Sequence, residues 1–221
     1  MAPRKRRGGE SPRVHSRTMP LLLLLVGAAA CPRPPAPLGG VPVAATFPDT
    51  RIVGNRQMAF RWEFDEESIV ARGDGMARIT APDSGRLDLF LDGGFGGGHA
   101  FIFGDTVIAP GGAIIRDMLP PPPLLWAAVG RLAVPPAPDT VAAVDGSHLR
   151  ADIGHDPTWR VTFDGTRLAR LERIAGGRVV EWVERAPDGT VRYAHPGDRR
   201  SLRITNTRIT EVPPFDPSIW R

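Results

Sequence analysis

A second cysteine is missing, so Cys31 cannot enter a disulfide within the chain and stands as one odd thiol in need of a role. Long apolar runs are missing too. The best of them, Leu21 to Ala30, is ten residues long, about half of what a membrane-spanning helix requires. Lysine stops at Lys5, and every later basic residue is arginine. There is no G-x-S-x-G elbow, no H-E-x-x-H and no G-x-x-x-x-G-K phosphate loop. His99, His148, His155 and His195 lack the spacing of metal ligands. Ser147-His148 and His155-Asp156 lie beside turn-forming Asp145-Gly146 and Pro157 and read as solvated turns. These absences leave no catalytic residue, no metal site and no cofactor to expect, and point to a binding protein.

What is present begins with a leader. Arg4, Lys5, Arg6, Arg7, Arg13 and Arg17 precede the apolar run with only Glu10 against them, the order of an export signal. Ala28-Ala29-Ala30-Cys31 ends it. This resembles a lipobox, the bacterial signal for placing diacylglycerol on the cysteine sulfur and cleaving just before it, although leucine is usual where Ala28 stands. The other reading is an ordinary A-x-A cleavage site followed by an incidental cysteine. Residues 1–30 are thus expected to be a signal peptide, with Cys31 the lipidated first residue of the mature chain. Pro32, where aspartate marks inner-membrane retention in enteric bacteria, agrees with outer-membrane sorting.

The leader holds six of the 28 basic residues and one of the 24 acidic ones, which leaves 22 against 23 in residues 31–221. The alkaline isoelectric point therefore belongs to the leader, and the remainder lacks the basic excess of a nucleic-acid binder. Residues 32–45 are rich in proline and favour an extended tether over helix or sheet. A single folded domain is expected over residues 46–221.

Within it the dominant period is two. Met58, Phe60, Trp62 and Phe64 alternate with polar or small residues, and Leu87, Leu89 and Leu91 alternate with Asp88, Phe90 and Asp92. Further strands are expected over 69–79, 100–103, 106–109, 141–144, 149–153, 159–163, 167–174, 178–184, 190–194 and 201–210. Asp164-Gly165, Gly176-Gly177 and Asp188-Gly189 separate successive runs where hairpin turns need positive φ. Between residues 113 and 132 the pattern changes. Pro120 to Pro123 interrupt it, and Leu125, Ala128, Val129 and Leu132 then fall at helical spacing, with Pro123 suited to a first helical turn. The fold class expected is mainly β: a single antiparallel sheet curled into an unclosed half-barrel, with one or two short helices as lid. So little helix can fill the concavity only in part. Periodicity alone allows either a leftover apolar cavity or a fully packed barrel.

The segments Gly85-Arg86-Leu87-Asp88-Leu89-Phe90 and Leu119-Pro120-Pro121-Pro122-Pro123-Leu124-Leu125-Trp126-Ala127-Ala128-Val129-Gly130, with the late arginine-rich strands, resemble the LolA/LolB-like family of periplasmic lipoprotein carriers and receptors. Cys31 places the likeness nearer LolB, which is itself lipid-anchored. Two features depart from the family: the helix before its first strand is hard to find between Phe47 and Arg56, and the lid is short and proline-rich. The resemblance implies an apolar hollow for acyl chains. Phe60, Trp62, Phe64, Leu87, Leu89, Leu91, Phe101 and Phe103 are its expected walls, beside Met58, with Leu125 and Trp126 facing them from the lid; Arg61 and Arg72 are taken as solvated surface. The expected partners are lipoprotein acyl chains or phospholipid, the membrane through the N-terminal lipid, and a periplasmic carrier that delivers cargo. In LolB the loop between the third and fourth strands carries an exposed apolar residue toward the membrane, and the resemblance puts Phe95, within Gly93 to Gly98, in that place. The residues alone equally allow Phe95 to fold back on the sheet. The function expected is acceptance of acyl chains and aid to their insertion into the outer membrane. The alternative is a structural envelope lipoprotein that uses the same fold as a protein-docking scaffold.

Overall fold

The computed structural model describes residues 36–220 except 68, 94, 95, 111 and 112. The leader and Cys31 therefore lie outside the described residues. The strands are β1 (Val41–Val43), β2 (Asn55–Glu66), β3 (Ile69–Thr80), β4 (Ser84–Leu91), β5 (Gly97–Phe103) and β6 (Thr106–Ile108). Two helices follow, α1 (Ala113–Met118) and α2 (Pro122–Ala128). The rest of the sheet comes from β7 (Val141–Asp145), β8 (His148–Ile153), β9 (Thr158–Asp164), β10 (Arg167–Ala175), β11 (Arg178–Arg185), β12 (Val191–His195) and β13 (Arg200–Glu211).

All thirteen strands form one sheet in the order β1-β7-β8-β9-β10-β11-β12-β13-β2-β3-β4-β5-β6, and every neighbouring pair is antiparallel. β1 and β6 do not pair with each other, so the sheet is unclosed. Gly176 and Gly177 join β10 to β11 with φ of 56° and 69°, the two-residue turn whose twist matches its strands. The strand-forming runs read from the alternation are all present. One strand was not expected: Val41–Val43 pairs with β7, so part of the proline-rich stretch is sheet and not tether. Its place on the sheet edge explains how Pro42, which has no N–H, is accommodated.

Most of the buried residues cluster on one face. Leu124 and Ala127 of α2 pack with Val161, Phe163, Leu171 and Val183 of β9 to β11, while the adjacent Trp126 packs with Met58, Ile79 and Ile102 of β2, β3 and β5. In a flat sheet β10 and β5, seven steps apart, would be separated by roughly 34 Å at ~4.8 Å per step. A helix of seven residues is roughly 10 Å long and 10–12 Å thick. One short helix can touch both groups of strands only because the sheet curls around it. That is the half-barrel, and α1 and α2 lie in its concavity. α2 begins at Pro122, with Pro121 extended before it, and its C-terminal turn closes through Gly130 at φ 92°.

The rows that cross β2 to β5 alternate large and small. Phe60, Gly75, Leu89 and Gly98 form one row, and Met58, Ala77, Leu87 and Ala100 the next. The alternation is steric: a Cβ on Gly75 would stand 2.2 Å from the Phe60 ring. The β2 aromatics thus lie across β3, which is why β3 is poor in bulky residues on this face.

Candidate functional site

Between the concave face and α2 is a narrow apolar slot of about 610 Å³, counted out to its mouth, of which only about 70 Å³ can hold the centre of a water molecule. Phe60, Leu87, Ile79, Ile102, Leu125 and Trp126 are among its walls. Two polar residues border it, Arg86 and Asn206. The guanidinium of Arg86 is engaged with Asp88 and donates to the Ile219 carbonyl at 2.7 Å, which leaves Asn206 as the polar side chain of the slot. A smaller pocket adjoins it, sharing Phe60, Leu87, Leu125 and Ile204 and reaching Trp62, Leu89 and Met118. The roof is fixed by Trp126, whose indole Nε1 donates to the Gly104 carbonyl at 2.6 Å. In the wall, the Trp62 Nε1 donates to the Asp74 carbonyl at 2.9 Å. Both rings therefore bury their one polar atom with a partner.

The structure brings together Phe60, Trp62, Leu87, Leu89, Leu125 and Trp126 along these two pockets. Phe64 shares their face but is core, packed with Trp62, Leu89 and Met118. Leu91 has the same parity but sits at the end of β4, 39% exposed and clear of the slot. Phe101 and Phe103 are a correction: they lie on the convex face. Their cross-strand partners are Arg86 and Ser84, while Ala100 and Ile102 pair with the inward Leu87 and Gly85. The physical reason is that β5 is apolar on both faces. Outside, Phe101 and Phe103 stack on each other and Trp220 of the C-terminal segment packs against Phe103. Ile79, Gly85, Ile102, Val191, Ile204 and Asn206 also line the slot; their signal is cross-strand register, with Arg56 for Ile79, Gly85 and Ile102, with Trp62 for Ile204 and Val191, and with Phe60 for Asn206, which alternation within one strand does not give. Arg61 and Arg72 are exposed and pair with Asp74 and Asp92. Phe95 lies outside the described residues.

The electrostatics of the concave side are set at the lower end of the slot, where β2 starts and β11 ends. Arg185 faces inward opposite Val191 and fills the space over Gly130, where an added Cβ would lie 2.7 Å from its Nη1. Its Nη1 reaches the Leu168 carbonyl at only 3.4 Å, and its Nε is buried without a partner. Burial first, then the neighbouring Arg167 and Arg56, push the Arg185 pKa down from the ordinary arginine value. At the other end, Glu181 is buried, accepting from Tyr193 at 3.0 Å and from Arg173. Burial, and then the charge of Glu181, raise the Tyr193 phenol well above its usual pKa. Among the described residues no group of three His, Cys, Asp or Glu is placed to hold a metal ion, and no helix is long and apolar enough to cross a membrane.

A wider hollow of about 1040 Å³, likewise counted out to its mouth, lies on the convex face, bordered by Arg150, Arg160, Arg170, Glu172 and Glu184. It is open and polar. Arg170 is tied to both Glu172 and Glu184, and Arg160 holds Asp152 while donating to the Ala36 carbonyl, which lays the N-terminal stretch along this face. Arg160 and Arg170 are thus held by carboxylates in an open, polar hollow, and the apolar slot is the better candidate for a ligand.

The fold and the slot together define an open antiparallel half-barrel with a narrow apolar space under a short helix. No protein-family model and no curated protein matches the chain by sequence. Solved structures similar to it include a domain described as an outer membrane lipoprotein-sorting protein from Vibrio parahaemolyticus, at 7% identity and TM-score 0.46 over 76% of this chain and 89% of that one. A DUF1329 family protein from Desulfovibrio piger has 10% identity and TM-score 0.45 over 78% and 91%. A LolA superfamily protein from Nitrosomonas europaea has 8% identity and TM-score 0.45 over 78% and 92%. These likenesses concern fold, and they do not separate a LolA-like from a LolB-like protein.

Proposed function

We propose that the protein is a lipid-anchored carrier or receptor of the bacterial envelope that takes acyl chains into the slot and passes them to the outer membrane. The observation that carries this reading is the slot itself: an apolar space roofed by a short helix, with the Asn206 Oδ1 as its one open polar atom from a lining side chain. A hydrocarbon chain asks for apolar area and few anchors, and each buried CH₂ contributes about 0.8 kcal/mol. The slot is narrow, so entry of a chain requires α2 to lift. Anchoring at Cys31 and membrane contact through Phe95 belong to the same proposal. Exposed Ile69, Val70, Phe90 and Leu91 support the latter, because they ring the end of the sheet at which the Phe95 loop joins β4 to β5.

Gly85 supplies the test. A Cβ there would meet Trp126 and Ile102 at 3.7 and 3.8 Å, ordinary contact, so Gly85→Ala is expected to leave both folding and binding near wild type. Gly85→Leu extends into the slot and should abolish binding of a monoacylglycerol, followed by tryptophan fluorescence, while the protein still unfolds cooperatively. Unchanged monoacylglycerol binding by a folded Gly85→Leu protein would show that the slot is not the site.

A further inference from the structure

At the lower end of the slot, polar atoms that a folded interior normally satisfies are left open. The Asn206 amide donates to the Gly189 carbonyl at 2.9 Å, yet its Oδ1 is buried without a donor while the residue lines the slot. The Arg185 Nε is buried without an acceptor. Neither Arg185 nor Arg56 has a carboxylate within ion-pair distance among the described residues; the ion pairs of this sheet engage other arginines. Arg56 belongs to the row Arg56, Ile79, Gly85 and Ile102, and three of those four residues line the slot. Glu211 stands opposite Arg56 on β13 but is exposed and makes no ion pair with it.

An unpaired, partly desolvated guanidinium is costly, and two of them near each other are mutually repulsive. Such groups are kept where something of opposite charge arrives. Here the arriving group would be continuous with a hydrocarbon-shaped space, which describes an anionic amphiphile and not a free ion. The thioether-linked diacylglycerol of a lipoprotein carries no phosphate, so this end of the slot distinguishes between cargo classes.

We infer that the slot takes a phospholipid, with its acyl chain under α2 and its phosphate held by Arg185 and Arg56, while the Asn206 Oδ1 accepts a hydrogen bond from a glycerol or headgroup hydroxyl. Arginine suits the role because its planar fork matches phosphate oxygens in pairs. Gly130 is part of the device. It makes room for the Arg185 guanidinium and has the positive φ that ends α2, so the headgroup site and the end of the lid helix meet at one residue. This inference rests on the proposal that the slot takes acyl chains.

The experiment compares three probes on the purified full chain: palmitoyl lysophosphatidic acid, monopalmitoylglycerol with the same chain and no charge, and inorganic phosphate. Lysophosphatidic acid should bind at least about tenfold more tightly than monopalmitoylglycerol, as charge-assisted hydrogen bonds imply. Arg185→Gln and Arg56→Gln should each remove most of that advantage and leave monopalmitoylglycerol unaffected. Arg185→Lys should retain part of it. If Arg185→Gln does not fold, the less enclosed Arg56→Gln carries the test. Equal affinity of the wild type for the two lipids would overturn the headgroup site while leaving the slot reading intact. Binding of neither lipid would overturn both. Phosphate competing as strongly as lysophosphatidic acid would assign the arginines to a free anion and overturn the lipid reading of this site.

Discussion

Two glycines on neighbouring strands have opposite roles, and a single methyl group tells them apart. Gly75 lies under the Phe60 ring, 2.2 Å from where its Cβ would be. Gly75→Ala should cost about 1–3 kcal/mol as an overpacked core does, in contrast to the tolerated Gly85→Ala; denaturant unfolding of both proteins measures the contrast, and equal stabilities would contradict the row packing. Tyr193 gives a second residue-scale expectation. Its raised pKa means that the folded state retains the phenolic proton, so the stabilisation is complete below the unfolded value near pH 10 and is lost as pH rises through the folded value. It is the only tyrosine in the chain, so absorbance titration reports it alone. The melting temperature of wild type should fall above about pH 10, and Tyr193→Phe should remove that alkaline component. A native-state titration midpoint near pH 10 would refute the buried contact with Glu181.

Elements show how far pattern reaches. Strands with one apolar face were legible: β2 buries Met58, Phe60, Trp62 and Phe64 and exposes Arg61, Glu63 and Asp65, and strict alternation has no other reading in a half-buried sheet. β5 was legible as a strand but its inward face was not, because Ala100, Phe101 and Ile102 are all buried and parity cannot be assigned to a strand covered on both sides. Part of the cover is Trp220, which packs on Phe103 and is itself met by Phe215, about a hundred residues on, a distance that local pattern does not bridge. β1 was missed for a related reason: three residues of an edge strand carry little periodicity, and prolines on either side argue against a sheet. Yet Pro42 has a use there. Val41 and Val43 are 70% and 40% exposed on an open edge, a template for pairing with another chain. Pro42→Val should raise concentration-dependent association, measured by light scattering. A strictly monomeric variant would mean that the edge is protected by something other than the missing N–H.

At the scale of the molecule, position in the envelope decides what the slot can do. If Cys31 bears the anchor, Cys31→Ser should move the protein from the membrane fraction to the soluble one while its affinity for monopalmitoylglycerol stays within about twofold, since a single chain is already marginal for anchoring and stable attachment needs more than one. A Cys31→Ser protein that still fractionates with membranes would remove the lipoprotein part of the proposal and leave the slot untouched. In the same preparation, Phe95→Glu should slow delivery of lipid to liposomes without lowering the melting temperature.

The missing bond between β1 and β6 reaches further than topology. A closed barrel has a circumference fixed by strand number and stagger, and its bore can change only if hydrogen bonds break. This sheet carries no such constraint. It can widen as a spring clip does, by a small change of twist at each of many strand pairs, with every backbone hydrogen bond kept. If the slot takes acyl chains as proposed, its bore would then follow what it grips, and one wall could hold occupants of unequal girth.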